Sequence, residues 1–249
     1  MKQYLLTPSA GKRLIGKGVS LHPAVKNVLK QGTLVIIAGT TNAYVAQEIL
    51  ISINQAEGFS LSGFYRGVTV PFHSQETTNR VDASQDVVII DGIRQKGKTI
   101  FDVADSLDEQ DVIVKGANAI DPDYHAGVLI GDPQGGTAAA AIRAVIGRRV
   151  RMIVPVGLEK RIIESITDIS NMMNAPESEG LRMMPLPGEV FTELDAISLI
   201  TGATGHLLAG GGIRGAEGAV RIGLTGTAEQ IAQAEKLIHS IASEPPYPG

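Results

Sequence analysis

Short runs of apolar residues alternate with polar stretches along most of the chain. They occupy residues 33–38, 86–90, 111–114, 127–130 and 150–156. A strand that is apolar on both faces is typical of a parallel sheet covered by helices on each side, because such a strand meets no water. The pattern therefore predicts an α/β fold with a mainly parallel sheet.

Helical patterns follow several of these runs. Val45, Ile49 and Ile53 would share one face of a helix, and an alanine-rich helix is predicted from Thr137. A polar helix is predicted at residues 159–173. Strands that alternate with helices in this way are expected to lie side by side, with their carboxyl ends at one edge of the sheet.

Shorter segments are predicted from turn-forming residues and local propensity. Residues 68–72 are predicted to form a strand, and residues 95–98 a turn that leads into residues 99–103. Proline, glycine and charged residues at 174–180 indicate a linker or hinge.

The pattern changes after Leu186. Thr227 and Gln230 have the spacing of a capping box, and the helix that they open has a buried apolar stripe. The predicted elements are a helix at 192–201, a strand at 205–209, a flexible turn at 210–218, a strand at 219–224 and a helix at 227–242. We therefore predict two domains: a Rossmann-like ligand-binding domain at residues 1–185, and a small α+β domain at residues 186–249.

Composition narrows the functional classes. The chain has 249 residues, 22 basic and 26 acidic, so its formal net charge of −4 does not favour nucleic acid or an anionic membrane as a partner. It has no cysteine, which excludes a thiol nucleophile, thiolate metal ligands and a disulfide scaffold. No apolar stretch is long enough to span a membrane. We expect a soluble, cytoplasmic protein without a metal or cofactor.

Two glycine-containing turns are candidate anion sites. Gly39, Thr40, Thr41 and Asn42 join a strand to a helix, and Gly135, Gly136 and Thr137 precede the alanine-rich helix. The free N–H groups of a helix N-terminus attract anions. Threonine and asparagine also cap helices, and glycine also allows close packing, so both interpretations stay open.

A polar loop after residue 114 faces these turns in the predicted sheet. It contains Lys115, Gly116, Asn118, Asp121, Asp123 and His125. Polar groups that converge on one strand end form a candidate site. Asp132 is interpreted as a turn former ahead of Pro133, and His73 as a loop residue without a second histidine at ligand spacing.

Residues 11–18 nearly match the phosphate loop of nucleoside triphosphatases. The match ends in Gly18, where a hydroxyl that binds magnesium is needed, and no strand is predicted before it. We therefore favour a basic loop, with the first helix beginning near Pro23.

Four motifs, in order, resemble the superfamily of ribose-5-phosphate isomerase, glucosamine-6-phosphate deaminase and the coenzyme A transferases. Gly39–Asn42 is similar to its Gly-Thr-Gly-Ser phosphate loop, and Val114–Ile120 resembles the isomerase's Val-Asp-Gly-Ala-Asp-Glu-Ile. Gly135-Gly136 resembles the isomerase's glycine cluster, and residues 185–190 its Pro-Leu-Pro-x-Glu-Val. The resemblance implies a phosphate site, a small ferredoxin-like lobe and a homodimer.

The chain departs from the isomerase at the positions that carry its chemistry. Its two loop aspartates fall on Lys115 and Asn118, its next glutamate falls on Ala119, and residues 138–142 lack its catalytic glutamate. The part of the resemblance that remains is anion binding, since an aldose–ketose isomerase needs a carboxylate to move a proton.

We therefore expect a protein that binds a phosphorylated small molecule, either a sugar phosphate or a nucleotide or coenzyme A type of ligand. Isomerase-like or transferase-like chemistry would use Asp121 or His125 for acid–base steps. The alternative is a ligand-sensing protein of the same fold without catalysis. RNA binding is less favoured: residues 219–241 resemble the end of a KH module and residues 212–215 its GXXG loop, but here that loop lies between strands.

Overall fold

The computed structural model describes residues 1–66, 69 and 86–248. The predicted strand at 68–72, apart from Thr69, and His73 lie outside this part of the chain. The strands are β1 (Lys2–Leu6), β2 (Thr33–Ile36), β3 (Val87–Ile90), β4 (Ile93–Gln95), β5 (Val112–Val114), β6 (Ala119–Ile120), β7 (Ala126–Ile130), β8 (Arg151–Pro155), β9 (Arg182–Leu186), β10 (Glu189–Phe191), β11 (Thr204–Gly210) and β12 (Val220–Thr225). The helices are α1 (Pro8–Leu21), α2 (Pro23–Val28), α3 (Thr40–Ser52), α4 (Ile100–Val103), α5 (Gly136–Arg148), α6 (Ile166–Met173), α7 (Glu193–Thr201) and α8 (Ala228–Ile241).

The largest sheet has six strands in the order β10-β8-β5-β2-β3-β4. The first four are parallel, and β3 and β4 add an antiparallel edge. The strands β2, β5 and β8 are buried along most of their length, as the continuous apolar runs predicted. The fold is thus mixed α/β, and the carboxyl ends of four parallel strands share one edge.

Separate apolar cores cover the two faces of this sheet. One contains Leu14, Ile49 and Ile222, and so joins α1, α3 and the C-terminal elements. The other contains Val35 and Ala141, and so packs α5 against the opposite face. Helices on both faces remove the sheet from water, which is the main stabilising effect in this architecture.

The prediction that residues 127–130 belong to the parallel sheet is wrong. Strand β7 instead lies between β6 and β9 in a three-stranded antiparallel sheet. A Cβ atom on Gly127 would lie 2.6 Å from the Met183 Sδ and 2.9 Å from Ile166, so this glycine lets β9 and α6 pack closely on β7. An apolar run signals burial but does not specify the pairing partner.

Residues 11–18 form the interior of α1 and not a loop, so the predicted basic loop is wrong. Thr7 caps α1 by accepting the Ala10 N–H, and Pro8 occupies its first turn, where no intrahelical N–H bond is lost. Strand β1, which was not predicted, precedes it. The glycines of α1 lower its intrinsic helix propensity, but they also let neighbouring helices approach α1 closely. Tertiary packing therefore outweighs propensity, and the segment is helical.

A helix cap corrects one further prediction, and another defines a segment for which no element was predicted. Residues 159–173 do not form one helix: α6 begins at Ile166, with Ser165 accepting the Asp168 N–H. Residues 100–103 form the short helix α4, which a capping box of Thr99 and Asp102 begins.

The C-terminal elements occur as predicted, with α7, β11, β12 and α8 in that order. The predicted capping box at Thr227 and Gln230 is present. Backbone pairing crosses the predicted boundary at residue 185 in both directions, because β10 extends the large sheet and β1 pairs with β12. The division into two domains stays a prediction.

The glycines of α1 provide a test of close helix packing. A Cβ atom on Gly16 would lie 2.9 Å from the Tyr44 carbonyl carbon and oxygen in α3, whereas one on the exposed Gly147 would meet nothing within 4 Å. We expect Gly16→Ala to lower the free energy of unfolding by about 1 to 3 kcal/mol. Gly147→Ala should raise it by up to about 1 kcal/mol. Urea denaturation measures both, and equal effects of the two substitutions would contradict the packing argument.

Candidate functional site

A cavity of about 510 Å³ opens at the carboxyl ends of β2 and β5. The N-termini of α3 and α5 border it, and Val128, Leu129 and Ile130 of β7 form an apolar wall. The structure brings together the ten residues predicted to bind a ligand: Gly39, Thr40, Thr41, Asn42, Lys115, Gly116, Asn118, Gly135, Gly136 and Thr137. Ligands of α/β sheets bind at this edge.

The first turn of α3 presents unused polar groups to the cavity. Gly39 is its N-cap, so the N–H groups of the first turn meet no capping side chain from this position. Thr41 is 2 % exposed, and its Oγ1 has no hydrogen-bond partner among the described residues. A buried hydroxyl without a partner costs free energy, so the Thr41 hydroxyl is a candidate hydrogen-bond donor to a ligand.

Asn42 links the ends of two strands. Its Nδ2 donates to the Ile37 carbonyl at 2.7 Å and to the Val114 carbonyl at 3.1 Å. Its Oδ1 is buried and has no partner in the part of the chain that the structure describes. Asn42 therefore fixes α3 against the loop that carries Lys115.

The first turn of α5 depends on two glycines in left-handed conformation. The φ angles are 78° at Gly135 and 54° at Gly136. A Cβ atom on Gly135 would lie 2.8 Å from the Ala139 Cβ, so a larger residue is strained there on both counts. Asp132 accepts the Gln134 N–H at 2.7 Å, in agreement with its interpretation as a turn former. The turn therefore leaves backbone exposed where a ligand can approach it closely.

Lys115 follows β5 and is only 6 % exposed. Burial lowers the pKa of its ammonium group to about 8, against the opposing effect of the Asp86 charge. The Asp86 carboxylate accepts the N–H groups of Ala38 at 3.0 Å and Ile100 at 2.8 Å, and lies 3.2 Å from an Arg66 nitrogen. Burial raises the pKa of Asp86, which these three donors oppose.

Sequence reasoning did not identify Arg66, Asp86 or Lys160 as part of this region. Arg66 and Lys160 line the cavity, and the Lys160 Nζ donates to the Ala117 carbonyl at 2.8 Å. The signal available for Asp86 was an acidic residue at the start of an otherwise apolar strand. Among the described lining residues, Arg66, Lys115 and Lys160 are cationic and Asp132 is acidic, so the charge favours an anion.

A buried acid lies behind Lys160. Glu193 is 1 % exposed, and its Oε2 accepts the Leu158 N–H at 3.0 Å. Burial, and then the charge of Glu159, raise the pKa of Glu193 well above its ordinary value. Gly11 makes room for this side chain, because a Cβ atom there would lie 2.5 Å from the Glu193 Oε1.

Asp121 and His125, predicted as the acid–base pair, do not line the cavity. The Asp121 carboxylate is buried and accepts the N–H groups of Asp123, His125 and Ile166 at 2.8 to 3.0 Å. The His125 Nδ1 lies 3.1 Å from it, on a ring that is 68 % exposed. Asp121 thus organises the β6–β7 loop and the start of α6.

Asn118 also holds this loop. Its Oδ1 accepts the Leu129 N–H at 3.0 Å, and its own N–H donates to the Gly127 carbonyl. Asn118 lines the cavity, but because its Oδ1 is already bonded, its main role is to hold the loop between β6 and β7 in place.

Comparisons with protein-family models, curated proteins and solved structures found no match to this chain. Within the described residues, no helix is long and apolar enough to cross a membrane. The same residues contain no cluster of three or more His, Cys, Asp or Glu side chains suited to a metal ion.

Asp121→Asn tests whether this carboxylate is structural. Burial raises its pKa, but the N–H donors of Ile166 and His125 outweigh burial and hold the pKa below its ordinary value. We expect the variant to lose about 1 to 3 kcal/mol of unfolding free energy at pH 7. This loss should shrink as the pH falls below about 4, because protonation of Asp121, first in the unfolded chain and then in the folded protein, removes the stability that the ionised carboxylate supplies. Urea denaturation at both pH values measures it, with the exposed Asp123→Asn as the control.

Glu193→Gln should change the pH dependence of stability. Because the folded protein binds a proton at Glu193 more tightly than the unfolded chain, wild-type stability falls as the pH rises above about 5. Glutamine keeps an acceptor for the Leu158 N–H and has no charge to bury. We therefore expect the free energy of unfolding of the variant, relative to that of wild type, to rise by at least about 1 kcal/mol between pH 5 and pH 8. Urea denaturation across this pH range measures the effect. The free energy of unfolding of the surface variant Glu109→Gln should follow the same pH dependence as that of wild type, and the same result for Glu193→Gln would contradict the argument.

Proposed function

We propose that the cavity binds a phosphorylated small molecule, either a sugar phosphate or a nucleotide or coenzyme A type of ligand. The observation that carries this proposal is the convergence of two helix N-termini and the buried Lys115 on one cavity. Each N-terminus offers backbone N–H donors and the positive end of a helix dipole. Lys115 adds a cation where water screens its charge weakly.

The size and walls of the cavity support a small ligand. Its volume of about 510 Å³ falls within the usual range for small-molecule sites. A phosphate would satisfy the buried Thr41 hydroxyl, which has no partner among the described residues. Hydrogen bonds between charged groups contribute about 1.5 to 3 kcal/mol each. The apolar wall of β7 suits the carbon skeleton of the ligand, and Phe101, which is 59 % exposed, flanks the opening.

The resemblance to sugar-phosphate isomerases and coenzyme A transferases agrees with this location. Three of the motifs that carry it, at Gly39–Asn42, Lys115–Asn118 and Gly135-Gly136, contribute to the cavity lining. We therefore propose chemistry on a phosphorylated substrate, of the isomerase or transferase type, as the leading hypothesis. The order of the four motifs supports this hypothesis. Because the catalytic carboxylates of the isomerase are missing, the reaction would have to use other reacting groups.

A ligand sensor without turnover is the second candidate. It is favoured because the acidic groups near the site are already engaged: Asp86 holds three donors, and Asp132 accepts the Gln134 N–H. Asp86 is therefore not arranged as a free general base. Product formation from a bound phosphate ester, followed by chromatography, separates the two candidates.

Calorimetric titration with inorganic phosphate, ribose 5-phosphate and coenzyme A tests the binding proposal. We expect binding of at least one phosphate ester at millimolar concentration or below. Lys115→Met should weaken it by about 10- to 100-fold, the loss of one charged hydrogen bond. Thr41→Val should weaken it less, by about tenfold, because it removes a neutral partner.

Lys26→Met is the matched control, since it removes an exposed lysine on α2, outside the cavity lining. Its affinity should equal that of wild type. Absence of heat with all three compounds, or equal affinities for Lys115→Met and Lys26→Met, would refute the proposal.

A further inference from the structure

Lys115 differs in its surroundings from the other lysine of the cavity. Burial lowers the pKa of both ammonium groups, but the Lys160 Nζ donates to the Ala117 carbonyl at 2.8 Å, whereas the Lys115 Nζ makes no hydrogen bond to any described residue. The backbone N–H of Lys115 donates to the Ile153 carbonyl, which holds the residue at the end of β5. The residue is therefore anchored by its backbone at the carboxyl end of β5, where it lines the cavity that the two helix N-termini border.

The negative charge of Asp86 is not enough to keep Lys115 fully protonated. Asp86 already receives two backbone N–H groups and Arg66, which share its negative charge. The pKa of Lys115 is lowered to about 8 by burial. At pH 7 it then exposes roughly 300-fold more neutral amine than an ordinary lysine. A neutral amine is a nucleophile toward carbonyl carbon.

We propose that Lys115 forms a Schiff base with the carbonyl carbon of a phosphorylated aldehyde or ketone whose phosphate lies at the N-termini of α3 and α5. This inference rests on the proposed phosphate site and names its substrate class. It also gives the cavity a reacting group in place of the isomerase carboxylates, which this chain lacks.

The reaction balances without a further reagent. Lys115 first releases a proton to water, and the nitrogen lone pair then attacks the carbonyl carbon. The carbonyl π pair moves to oxygen, which takes up a proton. The carbinolamine loses this oxygen as water and leaves a protonated imine, so that one ammonium and one carbonyl give one iminium and one water. The iminium is an electron sink for cleavage or proton transfer at the adjacent carbon.

The experiment traps the imine with sodium borohydride. Full-length protein is incubated at pH 8 with dihydroxyacetone phosphate or ribose 5-phosphate, reduced, digested and analysed by mass spectrometry. We expect the reduced adduct on the peptide that contains Lys115, about tenfold or more above that on exposed Lys26, because the nucleophile is the neutral amine. Inorganic phosphate should suppress the Lys115 adduct, and unphosphorylated dihydroxyacetone should label it much less.

Variants and a binding control complete the design. Lys115→Arg keeps a cation but has no reactive amine, so its adduct should be lost, while Lys26→Arg should label at Lys115 as wild type does. Thermal shift with inorganic phosphate is measured in parallel. If phosphate stabilises the wild type but Lys115 carries no adduct, the Schiff base is refuted and the phosphate site stands. If neither occurs, both proposals fail. Equal labelling by the unphosphorylated ketone, or no protection by phosphate, would also overturn the inference.

Discussion

The carboxamide of Asn42 joins the two strand ends on which the cavity is built. It donates to the last carbonyls of the β2 and β5 regions, at Ile37 and Val114, and it sits in the first turn of α3. One side chain thus fixes a helix N-terminus, two parallel strands and the loop of Lys115 relative to one another. A residue without this donor would leave the Ile37 carbonyl without the Asn42 bond, while the Val114 carbonyl would still accept the Ile37 N–H at 3.0 Å.

The parts of the structure that local chemistry determines were predictable. The turn at Gly39 and the turn at Gly135 each combine an apolar run, small flexible residues and a helix start. The parallel strands β2 and β5 place their carboxyl ends together, so the approach of the Gly39 turn to the Lys115 loop followed from this reasoning. The Gly135 turn follows β7, which pairs outside that sheet, so its place at the cavity did not follow from it. The capping box at Thr227 was equally predictable, because its two hydrogen bonds join residues within a four-residue segment.

Features that depend on distant partners were not predictable. The run at residues 127–130 pairs with β9, more than fifty residues later, and nothing local distinguishes that sheet from the parallel one. The glycines of α1 resemble a loop until Tyr44 and Ala196 are seen against them. Asp121 looked like a free acid because its three N–H donors include Ile166, which only the fold brings near. The roles of Arg66 and Asp86 also depend on a contact across the fold.

The pairing of β1 with β12 has a consequence for synthesis on the ribosome. Lys2 aligns with Leu224, so β1 leaves the exit tunnel more than two hundred residues ahead of the strand with which it forms hydrogen bonds. During that interval the apolar face of α1 has α3 to cover it but not yet α7. Such sequence-distant closure slows folding. The nascent chain therefore completes this sheet only after β12 emerges, and a chain stopped before α7 would expose the apolar face of α1 to chaperones and proteases.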